Sequence, residues 1–229
     1  MIRIVFALFP GVTQLDFTGP HQVFSALPGA EVLLASRTGE PIDSAGIVFG
    51  GLRRLADIDR CDVVCVPGGV GATDNAISDA EFLSELRRLA AAARYVTSVC
   101  TGSLVLGAAG LLHGRRAACH WASRGLLPLF GAIPDPARVV RDGNVVTGGG
   151  VTAGIDFALA LVAEIAGAET AQTVQLQLEY APAPPFDAGT PESAPPAVLA
   201  RADERYAATG ARRRAQVEAA AARLSSADR

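Results

Sequence analysis

Four nearly unbroken apolar runs, each about one strand long, constrain this chain most. They are Ile2–Phe9 (IRIVFALF), Glu31–Ser36 (EVLLAS), Asp62–Val66 (DVVCV) and Tyr95–Val99 (YVTSV). A strand with one wet face alternates apolar and polar residues. These runs do not alternate, so each must be covered on both faces. Helix-like stretches separate them. Gln14–Leu27 reads as a loop followed by a helix, with Pro20 suited to the first helical turn. Asp79–Ala93 carries Phe82, Leu83, Leu86 and Leu89 on one face. Strand, helix, strand in that order argues for a parallel sheet with helices on both sides.

The second half continues the pattern. Gly102–Leu112 is expected to be a helix, Arg116–His120 a short strand, and Val139–Asp142 with Asn144–Thr147 a hairpin about Gly143. Thr152–Ala166 and Ala168–Leu178 follow as helices, and Ile42–Leu55 reads as hairpin or loop. Residues 181–197 are too rich in proline to form a core element. Val198–Leu224 is rich in Ala, Arg and Glu and helical by propensity, with a thin apolar stripe. The expected organisation is an α/β domain over 1–180 and, over 181–229, a Pro-rich segment and helical extension packed on the domain or on a dimer.

Half of the 229 residues are hydrophobic, enough for a sizeable core. The net charge is −3, and the only basic cluster is Arg212–Arg214 in the helical tail, so nucleic-acid binding has little support. The first apolar run stops at Pro10-Gly11 like a buried strand and unlike a secretion signal, and no run of 18 apolar residues suggests a membrane span. The four cysteines, Cys61, Cys65, Cys100 and Cys119, are therefore expected as reduced thiols in a cytoplasmic protein. Cys61 and Cys65 lack a second pair at ligand spacing, so no metal site is expected.

Ligands of parallel sheets sit at the C-terminal strand ends. Asp16, Gly68-Gly69 and Cys100 each follow such an end. Cys100, in Ser98-Val99-Cys100-Thr101-Gly102, sits where a strand passes directly into a helix, like a hydrolase elbow with Cys for Ser. The corner would expose the sulfur and aim a helix N-terminus at it, lowering the thiol pKa. The competing role is a buried structural thiol. Asp16 stands between Leu15 and Phe17, which would desolvate its carboxyl and suit it to acid catalysis near neutral pH; the plainer role is a helix N-cap. Gly68 and Gly69 offer unhindered backbone N–H groups, and Thr101 adds its own. His120 is a candidate partner for the thiol or a satisfied core group. Gly148-Gly149-Gly150 suggests close backbone approach at another corner.

Taken together, Pro67-Gly68-Gly69, Ser98-Val99-Cys100-Thr101-Gly102, Cys119-His120-Trp121 and Thr147-Gly148-Gly149-Gly150 resemble the ThiJ/PfpI superfamily, nearly end to end. The resemblance implies a flavodoxin-like α/β fold of the class I glutamine amidotransferase type, a mostly parallel sheet with helices on both faces. The segment Gln175–Phe186 (QLQLEYAPAPPF) is similar to the branch that hydrates isocyanides. That similarity implies a homodimeric, cofactor-independent enzyme acting on a small isocyanide and water. Cys100 would attack the terminal carbon, Asp16 would protonate it, and a thioimidate would be hydrolysed to an N-substituted formamide. Gly69, Gly149 and Thr101 would orient substrate or water. Val151 would lie against the cysteine, and His120 would be dispensable. Phe17, Trp121 and Phe186 are candidate apolar lining. Cys119 stands where relatives usually carry Thr. The alternatives within the superfamily are another cysteine-dependent activity (deglycase, amidase or peptidase) and a ligand-sensing regulatory domain. Thr101 replaces the His that follows the cysteine in the peptidase-like branch, which argues against a peptidase.

Overall fold

The computed structural model describes residues 1–227. Its strands are β1 (Ile2–Leu8), β2 (Ala30–Ser36), β3 (Ile42–Ser44), β4 (Ile47–Phe49), β5 (Arg53–Arg54), β6 (Val63–Val66), β7 (Tyr95–Val99), β8 (Arg116–Ala117), β9 (Ile133–Pro134), β10 (Val139–Asp142) and β11 (Val145–Gly148). Its helices are α1 (Gln14–Ser25), α2 (Val70–Asp74), α3 (Ala80–Ala92), α4 (Gly102–Ala108), α5 (Ala153–Ala166), α6 (Ala168–Gln177) and α7 (Pro196–Ala227). A seven-stranded sheet runs β10-β11-β7-β6-β1-β2-β5, parallel throughout except for the β10–β11 hairpin. β6 and β7 are wholly buried, as two-sided coverage requires. This is the flavodoxin-like α/β architecture. Among the described residues, no helix is long and apolar enough to cross a membrane.

The registers bring the functional corners together. β1 pairs with β6 and β6 with β7, so the ends of three adjacent parallel strands meet on one rim. The loop after β1 is fastened to the loop after β6: the Thr13 N–H donates to the Gly68 carbonyl at 2.8 Å, and the Gly71 N–H donates to the Gly11 carbonyl at 3.0 Å. Helix α3 opens with Asp79 accepting from the Phe82 N–H at 3.0 Å, an ordinary N-cap.

Three local expectations are corrected. Helix α1 begins at Gln14, so Pro20 lies inside it and Asp16 in its first turn. A proline removes the hydrogen bond to the carbonyl four residues back, here that of Asp16. Helix α5 packs closely at the same point; a Cβ on Gly154 would lie 3.0 Å from Pro20 Cδ and 3.4 Å from the Asp16 carbonyl oxygen. Helix α4 stops at Ala108, short of Leu112, and the Arg116–His120 strand shrinks to β8. Burial of α4 on every side leaves its seven residues no amphipathic pattern from which to read its length.

Residues 181–195 have no regular helix or strand. Beyond them α7 returns to the domain. Val217 and Ala220 are buried, Gln216 donates to Asp74 at 3.0 Å, Arg212 pairs with Asp74 at 3.2 Å, and Arg223 reaches the Ile77 carbonyl at 3.3 Å.

Candidate active site

Cys100 ends β7 with φ 59°, in the left-handed region where a residue with a Cβ is strained. The strain persists because both sides are held. The Cys100 N–H donates to the Gly148 carbonyl at 3.1 Å, and α4 starts two residues later. Gly102 lets that helix approach the end of β6, since a Cβ there would strike the Val66 carbonyl. The side chain is only 5% exposed. Contrary to the expected depression, the thiol pKa lies well above its ordinary value. Burial is the main cause and the adjacent Asp16 and Cys119 add to it, outweighing the opposing Thr101 N–H. A helix terminus cannot offset the loss of water around a charge this deep.

Asp16 is fully buried. Its Oδ2 accepts from the Gly68 N–H at 2.8 Å, which disposes of the N-cap role. Its Oδ1 is buried without a hydrogen-bond partner, and the carboxyl lies near enough to Cys100 for the thiol to act on its pKa. Burial pushes the carboxyl pKa up to about 7, against the lowering effect of the Gly68 N–H and the thiol.

The glycine loop works differently from the expectation. The Gly69 N–H donates to Thr101 Oγ1 at 2.9 Å, and the same hydroxyl donates to the Gly69 carbonyl at 3.2 Å. With the Gly68 N–H given to Asp16, neither amide is free for substrate. Their role is to clamp the acid against the nucleophile corner. Gly68 is required by space: a Cβ there would lie 2.5 Å from Thr101 N and 2.9 Å from Asp16 Oδ2. Gly69, at φ 132°, supplies a backbone shape that side chains rarely adopt. The Gly149 N–H is also committed, donating to the Arg138 carbonyl at 2.9 Å.

His120 is drawn off to the C-terminal helix. Its ring lies 5.3 Å from that of Tyr206 on α7 and 5.7 Å from that of Trp121, and Nδ1 accepts from the Ala122 N–H at 3.3 Å. Burial, aided by Arg213, lowers its pKa. No hydrogen bond joins it to Cys100 among the described residues. Gly149, Val151, His120 and Cys119 line a cavity of about 270 Å³. Of the expected apolar lining, Trp121 borders this cavity, while Phe17 is buried edge-on against Phe49 at 4.8 Å. Phe186 is 80% exposed and does not border this cavity. Cys119 and Tyr206 were not singled out as site residues. The Cys119-His120-Trp121 motif signalled the first, and nothing local signals the second.

Comparison with known proteins was made on this geometry. The model of the DJ-1/PfpI family matches residues 2–164. An isonitrile hydratase of Pseudomonas putida is 54% identical over 224 residues, covering 97% of this chain and 98% of that protein. The crystal structure of a ThiJ/PfpI family protein from Pseudomonas syringae superposes with a TM-score of 0.90 at 42% identity, covering 96% of this chain and 90% of the other. That of Drosophila melanogaster DJ-1beta gives 0.71 at 25% identity, covering 79% and 99%.

Proposed function

The chain belongs to the DJ-1/PfpI family, and from that premise we infer its reaction: it is an enzyme, an isonitrile hydratase. It adds water to a small isocyanide and releases an N-substituted formamide. The observation that carries this reading is the near end-to-end identity to the Pseudomonas putida hydratase. The juxtaposition of Asp16 and Cys100 supplies a chemistry to match.

An isocyanide, R–N≡C, is electrophilic at its terminal carbon, and that carbon must gain both a sulfur and a proton. Above about pH 7 the pair holds one proton, carried by Cys100, since burial raises the thiol well above its ordinary value and the carboxyl only to about 7. Asp16 Oδ1 takes the S–H proton as the sulfur attacks, then delivers it to the carbon, giving the thioimidate R–N=CH–S–Cys100. Water adds to this carbon, with Asp16 taking one of its protons and the nitrogen gaining one. Collapse of the tetrahedral species breaks the C–S bond, and Cys100 recovers its proton through Asp16. The product is R–NH–CHO. The clamp from Gly68, Gly69 and Thr101 supports this sequence by fixing the acid beside the sulfur. His120 has no step in it. The same reading carries a cytoplasmic homodimer built on a 1–180 domain. Four unpaired, buried thiols support a reducing compartment.

Formamide production from an alkyl isocyanide tests the mechanism. Turnover by the wild type, none by Cys100→Ala and none by folded Asp16→Asn is the expected result. Full activity in Asp16→Asn would remove the carboxyl from the mechanism, and an inactive wild type would remove the hydration.

A further inference from the structure

One wall of the 270 Å³ cavity comes from a part of the chain that the chemistry above does not use. Gly189–Glu192, within the Pro-rich run, line it together with His120 and Val151, and Pro191 is the half-buried residue among them. The cavity lies beside the nucleophile corner: neither Cys100 nor Asp16 lines it, but Cys119, which does, is near enough to the thiol to affect its pKa. Its floor residue Cys119 follows Ala118, whose carbonyl accepts from the hydroxyl of Ser103 at 2.5 Å, three residues past Cys100. Its Gly149 side follows Gly148, whose carbonyl holds the Cys100 N–H at 3.1 Å. A substrate attacked at its terminal carbon must direct its R group away from the sulfur, and this cavity adjoins the corner on the Cys119 side. It equals roughly nine water volumes of about 30 Å³ and falls just below the usual range of about 300–1,000 Å³ for small-molecule pockets.

The walls differ in how they are held. Gly149 is tied to Arg138, and His120 is wedged between Trp121 and Tyr206. The Gly189–Glu192 turn is held by its own bonds: the Thr190 carbonyl accepts from Ser193 and Ala194 N–H groups at 3.2 and 2.9 Å, and the two hydroxyls of Thr190 and Ser193 lie 3.1 Å apart. Among the described residues, no hydrogen bond or ion pair joins this turn to the sheet or to the rest of the cavity lining. It is the wall that substitution can move without disturbing the nucleophile.

We propose that the Gly189–Glu192 turn, through Pro191, is the specificity-determining wall that limits the size of the R group reaching Cys100. The proposal rests on the hydration reading for its substrate class, but the wall itself has a readout that does not. Removing or adding one methylene's worth of apolar contact changes discrimination by roughly 10–200-fold. The test compares wild type, Pro191→Gly and Pro191→Phe, each checked for its fold by circular dichroism and thermal melting. The first readout is the kcat/KM ratio for cyclohexyl over isopropyl isocyanide. The second is the rate ratio for alkylation of Cys100 by N-cyclohexyl-2-chloroacetamide over 2-chloroacetamide, read by mass spectrometry. Pro191→Gly should raise both ratios about tenfold or more, and Pro191→Phe should lower both. Folded variants that leave either ratio at the wild-type value overturn the proposal. If the wild type hydrates neither isocyanide, the hydration reading fails, and the alkylation ratio alone decides whether this turn is the wall.

Discussion

Two strand-to-helix corners stand side by side on the rim of the sheet. At the end of β7 the chain turns into α4 through Cys100, a residue with a side chain held at φ 59°. At the end of β6 it turns into α2 through Gly68 and Gly69, with Gly69 at φ 132°. The first corner keeps a side chain where glycine would be easier, at a backbone cost of about 1–2 kcal/mol. The second dispenses with side chains, because any Cβ on Gly68 would collide with Thr101 and Asp16. Strain is retained where the proposed chemistry needs a side chain, and relieved where only the backbone is needed. The two corners are also locked together. Thr101 belongs to the first and holds Gly69 of the second, while Gly68 of the second holds the acid that serves the first.

The largest break in this arrangement should come from Gly68→Ala. The added methyl pushes Asp16 or Thr101 aside, and a displacement near 1 Å costs on the order of 100-fold in rate. Steady-state kinetics on a variant with native circular dichroism will read it, and wild-type kcat/KM would show that the two corners are not coupled through Gly68.

A smaller effect comes with pH. Below about 7 the Asp16 carboxyl is protonated while Cys100 keeps its S–H, so the pair loses its base. The expected kcat/KM falls about tenfold per pH unit below about 7. The same group affects stability in the opposite sense. Its folded pKa is raised, so the stabilisation is present below the ordinary carboxylate pKa and is lost as pH rises through about 7. An activity profile flat from pH 5 to 8 would contradict the one-proton description.

The smallest effect isolates the clamp. Thr101→Val removes the hydroxyl that satisfies the part-buried Gly69 N–H, and loss of that bond should cost about 1 kcal/mol. Denaturant unfolding should show that loss, with Cys100 still in place. Unchanged stability would mean that water replaces the hydroxyl and that the corners are independent.

Much of this molecule was legible before any coordinates. The apolar runs specified four parallel strands because a strand buried on both faces admits no polar alternation. The same reasoning placed Asp16, Gly68-Gly69 and Cys100 at neighbouring strand ends. Pro20 misled because proline suits a first helical turn, whereas α1 begins six residues earlier and runs through it.

The amino-acid sequence by itself determined the layering of the fold and the corner at Cys100, since hydrophobic period is a local property of the chain. Tertiary structure decided which donor each group meets. Gly68 reaches Asp16 across 52 residues, Gly69 reaches Thr101 across 32, and Tyr206 meets His120 across 86. It also set the thiol's pKa, which local helix-end reasoning placed too low. Hydrogen bonds and desolvation at those distances depend on how remote loops dock, and residue pattern along the chain carries no record of that.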